Sequence, residues 1–163
     1  MKKILIFWVI CLLASTGYSQ ELPSVQIKTI DGKTVNSNIL KENDGKAVVL
    51  CFWATWCSPC IREMTALNEK YEDWAEETGV KIIAISIDDP RTSNRVKPFV
   101  DARNWDFDVY LDVNSDLKRA MNVNNPPHTV LIDGNGKIVW QHVSYSDGDE
   151  EELYRKIKAQ SAK

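Results

Sequence analysis

Ala47-Val48-Val49-Leu50-Cys51-Phe52-Trp53-Ala54-Thr55-Trp56-Cys57-Ser58-Pro59-Cys60 is the stretch whose reading decides how this chain folds. Its first seven residues form an unbroken apolar run, the pattern of a strand covered on both faces in an α/β sheet. Beyond it the period changes. Cys60, Met64, Leu67, Tyr71 and Trp74 recur at spacings of four, three, four and three, which places them on one stripe of a helix that Gly79 can end. Lys81-Ile82-Ile83-Ala84-Ile85-Ser86-Ile87 is a second buried strand, so strand, helix and strand make a parallel unit.

Outward from this unit, residues 25–36 alternate apolar and polar positions around Asp31-Gly32, which predicts a short N-terminal β-hairpin. Asp88-Asp89-Pro90 closes the parallel unit. A helix over 94–103, a strand over 107–111 and a short helix over 115–121 then form a central insertion. Thr129-Val130-Leu131-Ile132, the turn Asp133-Gly134-Asn135-Gly136 and Ile138-Val139-Trp140 predict a second hairpin, followed by a charged helix from 149 to about 159.

With 44% apolar and 26% charged positions in 163 residues, the chain can fill one core, and one domain is expected. Its start differs in kind. Lys2 and Lys3 precede eleven uncharged residues, 4–14, and then small and polar residues up to Gln20, which reads as a secretory signal peptide over 1–19. As a helix the apolar run would reach about 17 Å, short of the roughly 30 Å of a bilayer core. Retention as an uncleaved N-terminal membrane anchor is the minority reading. Cys11 lies inside this segment and lacks the small residue that usually precedes a lipid-attachment cysteine.

Without Lys2 and Lys3 there remain 18 basic and 23 acidic residues, and the basic ones are scattered, so nucleic-acid binding has no electrostatic support. Cys51, Cys57 and Cys60 are too few for a disulfide scaffold and odd in number for a secreted protein. One close pair plus one leftover fits redox chemistry.

The pair gives each thiol a different task. Cys57 falls at a helix N-terminus, where free backbone N–H groups and the helix dipole favour the thiolate that attacks disulfides. Cys60, one turn further and facing the core, is shielded from partners yet able to attack a mixed disulfide held at Cys57. A zinc half-site would need about four ligands, and only Cys51, His128 and His142 could join the pair. A purely structural bond would close a tiny loop and remove little unfolded-state entropy.

The run Phe52-Trp53-Ala54-Thr55-Trp56-Cys57-Ser58-Pro59-Cys60, with Pro127-His128-Thr129-Val130-Leu131-Ile132-Asp133 downstream, resembles the thioredoxin superfamily, and more narrowly its exported TlpA-type thiol-disulfide oxidoreductases. The resemblance runs from about Leu22 to the end and implies a thioredoxin-like α/β fold over 20–163: a mixed central sheet flanked by helices, with an N-terminal β-hairpin and a central insertion. It implies two-electron exchange with protein disulfides in the periplasm, as a monomeric reductase recharged by a membrane electron-transfer partner, with no organic cofactor and no metal.

By the same resemblance Pro127 matches a cis-proline beside the dithiol that helps to hold an extended substrate segment, and Trp56 offers a flat apolar docking surface. Pro126 departs from the pattern: the residue before the cis-proline normally offers a partner both N–H and C=O, and proline has no N–H. Cys51 departs too, standing where thioredoxin has a buried carboxylic acid; it reads as a small buried filler. Two readings of Glu63 stay open. TlpA-type reductases often carry a glutamate here near the active site, which would tune thiol deprotonation; a solvated helix glutamate fits the spacing equally. His128 and His142 receive no role, and Trp53 and Trp140 read as packing residues.

Two alternatives come from the same fold. A thiol peroxidase would carry Thr three and Pro seven positions before its nucleophile, where this chain has Ala54 and Leu50. A copper-carrying module usually spaces its cysteines by three residues, not two.

Overall fold

The computed structural model describes residues 21–161; the expected signal peptide lies outside the described residues. The chain folds as β1 (Gln26–Thr29), β2 (Thr34–Asn36), β3 (Val48–Trp53), α1 (Ser58–Thr78), β4 (Lys81–Ser86), α2 (Val96–Asp101), β5 (Asp108–Leu111), α3 (Asp116–Ala120), β6 (His128–Ile132), β7 (Ile138–Val143) and α4 (Asp149–Ser161). The helix expected over 94–103 is shorter: a 3₁₀ turn, Ser93–Arg95, leads into α2, whose first turn tolerates Pro98 because N–H groups there have no helical partner.

All seven strands form one sheet in the order β2-β1-β5-β4-β3-β6-β7. β3 pairs with β4, and β4 with β5, in parallel; β3–β6, β6–β7, β1–β2 and β1–β5 are antiparallel. The central insertion thus adds β5 beside β4, and β5 in turn receives the N-terminal hairpin. This is the thioredoxin-like α/β arrangement. Every residue of β3 and of β6 is buried, because both strands are interior to the sheet and covered on both faces, which is why β3 reads as an unbroken apolar run and β6 as one after His128 and Thr129. β7, at the edge, alternates half-buried and exposed residues.

α1 carries Cys60, Met64, Leu67 and Trp74 inward, as the stripe predicts, and ends at Gly79 in the left-handed conformation (φ 69°), which glycine adopts without a Cβ penalty. On the far end of β3 from α1's start, the loop at 43–45 meets the β6–β7 turn. There a Cβ on Gly134 would lie 1.9 Å from the Gly45 carbonyl oxygen, so only glycine fits. Trp53 is fully buried against Phe99 and Trp105, while Trp140 is half-buried and stacked on His142. No helix among the described residues is long and apolar enough to cross a membrane.

Candidate active site

The loop from β3 into α1 is short, and its geometry is set from two sides. Ala54 C=O accepts the Cys57 N–H at 3.0 Å, closing a turn. Asp88, fully buried just beyond β4, accepts from the Thr55 N–H (2.9 Å), the Thr55 hydroxyl (2.6 Å) and the Ser86 hydroxyl (2.9 Å). A carboxylate in a dry site is tolerable when several donors face it, and these three hold the loop two residues before Cys57. Sequence reading missed Asp88 because its partner Thr55 is 33 residues away and Asp88-Asp89-Pro90 looks like an ordinary turn.

Cys57 is the N-cap of α1: its extended backbone (φ −98°, ψ 94°) precedes Ser58, and its Sγ accepts the Cys60 N–H at 3.3 Å. Ser58 and Pro59 fill the first helical turn, where proline's missing N–H costs nothing. Cys57 and Cys60 are joined by a disulfide, with their Cα atoms 5.3 Å apart. Cys57 retains 6% exposure and Cys60 none; Trp56, beside them, is 60% exposed. An indole that open to water is an apolar surface next to the one reachable sulfur.

The Pro126–Pro127 peptide bond is cis. Because His128 pairs with Phe52 in the β3–β6 register, Pro127 comes to the end of β3 from which the dithiol loop departs. Pro127 is buried and Pro126 half-buried. The Pro127 carbonyl accepts the Ser144 N–H at 2.9 Å, so this loop is tied to the segment after β7. His128 is buried, its Nε2 3.0 Å from Gln141 Oε1 and its ring edge-on to Phe52.

Of the two open readings of Glu63, the solvated one is wrong. Glu63 is buried at 5% exposure, stands three residues after Cys60 on α1, and accepts the Thr129 hydroxyl at 2.6 Å. Burial lifts its carboxyl from the ordinary 4.5 to about 7; the Thr129 bond opposes that rise, and the charges of Asp149 and Glu150 add to it. The same Thr129 hydroxyl lies 3.9 Å from Cys51 Sγ. Cys51 is a free, fully buried thiol, pushed well above its ordinary range first by burial and then by the Glu63 charge. It fills space in the core beside Thr129. Thr129 was legible only as a strand residue; its role follows from the register that sets Cys51 opposite it.

Among the described residues no three His, Cys, Asp or Glu side chains converge as a metal-ligand set. The arrangement is instead that of a dithiol–disulfide couple: one reachable sulfur on a helix N-cap, one buried sulfur bonded to it, and a buried acid able to hold a proton near neutrality.

Comparison with known proteins agrees with this geometry. The chain is 36% identical over 137 residues to the thiol-disulfide oxidoreductase ResA of Bacillus thuringiensis, an alignment covering 84% of this chain and 76% of that protein. A thioredoxin-like protein from Porphyromonas gingivalis, solved in solution, superposes with a TM-score of 0.77 at 48% identity, over 86% of this chain and 92% of that one. A putative thiol:disulfide interchange protein DsbE from Chlorobium tepidum superposes with a TM-score of 0.74 at 27% identity, over 88% and 96%. Residues 18–141 match the model of the AhpC/TSA family. With that match, these relatives and the sheet order above, the chain belongs to the AhpC/TSA family of thioredoxin-like proteins.

Proposed function

We propose that the thiol-disulfide oxidoreductase chemistry of this protein runs in the reducing direction, on protein disulfides outside the cytoplasm, with Cys57 as nucleophile and Cys60 as resolving thiol. The observation that carries the assignment of roles is the cap: Cys57 sits where the Cys60 N–H and the α1 dipole can stabilise a thiolate, next to exposed Trp56, while Cys60 is sealed in the core.

In the reduced enzyme the Cys57 thiolate attacks one sulfur of a partner disulfide; a Cys57–partner bond forms, the partner's S–S bond breaks, and one partner thiolate leaves. Cys60 then gives up its proton to the ionised form of Glu63 and attacks the Cys57 sulfur. The Cys57–Cys60 bond forms, the mixed disulfide breaks, and the second partner thiolate leaves. Two electrons have passed from the protein to the partner. Trp56, Pro126 and Pro127 line the docking side, with Pro126 able to offer its C=O but no N–H.

The leader-like sequence of residues 1–19, two lysines followed by eleven uncharged residues, supports the extracytoplasmic setting, and a membrane electron-transfer protein would regenerate the dithiol. A glutathione redox titration of the Cys57/Cys60 couple, run beside partner trapping by Cys60→Ser, tests the reading. The expected potential lies toward the reducing end of the range for this fold, about −270 mV, with mixed disulfides accumulating on Cys57; a value near about −120 mV would overturn the reductase assignment.

A further inference from the structure

Tyr145 stands between two spaces that the dithiol chemistry does not otherwise connect. On its inner side is a narrow cavity of about 10 Å³, the scale of a single water, lined by Glu63 and Leu67 of α1, Thr129 of β6, His142 of β7 and the first turn of α4. On its outer side is an open groove of about 360 Å³ between α1 and the segment after β7, lined by Arg62, Thr65, Glu69 and Asp147. Tyr145 and Glu150 are the residues common to both linings. Tyr145 is 6% exposed, and its hydroxyl donates to Glu150 Oε2 at 2.9 Å.

We propose that Tyr145 is a positioning residue for the dithiol: its ring is the plug that keeps water in the outer groove from reaching Glu63. The inference rests on the reading of Glu63 as the acid beside Cys60. It goes further by naming what keeps that acid dry.

The segment that holds the plug is fastened at several points. The Ser144 N–H donates to the Pro127 carbonyl (2.9 Å), the Tyr145 hydroxyl to Glu150, and the Gly148 N–H to the same Glu150 oxygen (3.0 Å). Asp147 faces Arg62 of α1 at 3.8 Å across the groove. Ser144, immediately before Tyr145, holds φ at 76°, a left-handed conformation unusual for a residue with a side chain.

The charged and titratable groups around Glu63 come from every element packed on it. Cys51 of β3 lies below, beside Thr129. His142 of β7 is paired with Asp149 at 3.2 Å, and Asp149 and Glu150 of α4 face it across the cavity. Cys57 and Cys60 precede it at the start of α1, joined in a disulfide that does not titrate. Among the described residues no Lys or Arg lines the inner cavity, so an ionised Glu63 would gain little there. A water-filled opening at Tyr145 would hydrate the carboxylate and favour ionisation.

The test is a carboxyl titration of Glu63 by carbon-13 NMR in the full chain, oxidised, with Glu63→Gln assigning the resonance. Wild type and Tyr145→Phe, which keeps the ring, should titrate together at about 7. Tyr145→Ala should move the midpoint down by about one pH unit or more, toward the ordinary carboxyl value. Tyr145→Val, which leaves an apolar stub and guards against a variant that does not fold, should move it the same way by less.

A midpoint unmoved in both smaller variants overturns the plug, as does a Phe variant that falls with Ala, since the hydroxyl and not the ring would then be responsible. The pH profile of Cys57 alkylation in the reduced protein separates this from the reading beneath it. If Glu63→Gln leaves that profile unshifted while Tyr145→Ala still moves the Glu63 midpoint, the plug stands and the assigned role of Glu63 fails.

Discussion

Replacing Glu63 by Gln keeps the shape of a buried side chain and its capacity to accept from Thr129, exchanges one carboxyl oxygen for an NH2 group, and removes the ability to ionise. In the unfolded chain this carboxyl titrates near 4.5 and in the folded protein near 7. Between those values the folded state holds a proton that the unfolded state has released. The contribution of Glu63 to stability is therefore fully present below about pH 4.5, declines as pH rises, and is lost once pH passes 7. At 1.36 kcal/mol per pKa unit the whole window is worth about 3 kcal/mol. With the side chain almost entirely out of water, solvent screening takes little from that figure. Urea unfolding of the oxidised wild type and of Glu63→Gln at pH 5 and pH 8 isolates the effect, because every other titrating group is common to both proteins. The Gln variant should gain about 2–3 kcal/mol on wild type between the two pH values. A difference between the proteins that is the same at pH 5 and pH 8 would refute the reasoning.

Asp88→Ala should cost about 2–4 kcal/mol, since it strands the Thr55 N–H and two hydroxyls without their acceptor, and should speed amide exchange at Thr55; an unperturbed Thr55 amide would contradict the anchoring. Gly134→Ala pushes a methyl group onto the Gly45 carbonyl and should cost about 1–3 kcal/mol in urea unfolding. It should leave the Cys57/Cys60 reduction potential unchanged, because the clash lies at the opposite end of β3. Pro126→Val restores an N–H beside Pro127 and should tighten binding of an extended peptide to a Cys60→Ser mixed-disulfide analogue by about 0.5–1.5 kcal/mol, one net hydrogen bond; unchanged affinity for every peptide tried would remove Pro126 from the docking surface.

Most of the fold was legible because the interior strands announce themselves. β3, β4 and β6 are buried on both faces, so each carries a run of apolar residues, the whole of β3, residues 82–85 of β4 and 130–132 of β6, and α1 lays its core contacts at helical spacing. The dithiol was equally readable, since strand, cap and stripe lie within one contiguous stretch. The pairing of the N-terminal hairpin with β5 was not, because β1 and β5 are short and no local pattern in either names its neighbour. The split of the expected helix over 94–103 escaped for a related reason: a 3₁₀ turn and an α-turn share nearly the same local preferences.

By itself the sequence determined that Cys57 caps a helix and Cys60 faces a core, because both facts depend on residues within a few positions of each other. Whether Glu63 is a wet surface residue or a buried acid could not be decided from its helix, since an offset of three from Cys60 puts it at the boundary of the buried stripe. That outcome depends on what lies across from it: Thr129, brought there by the β3–β6 register, and Tyr145 with α4, brought by the chain's return after β7. Solvation is a property of all the elements that surround a group, and only the assembled fold supplies them.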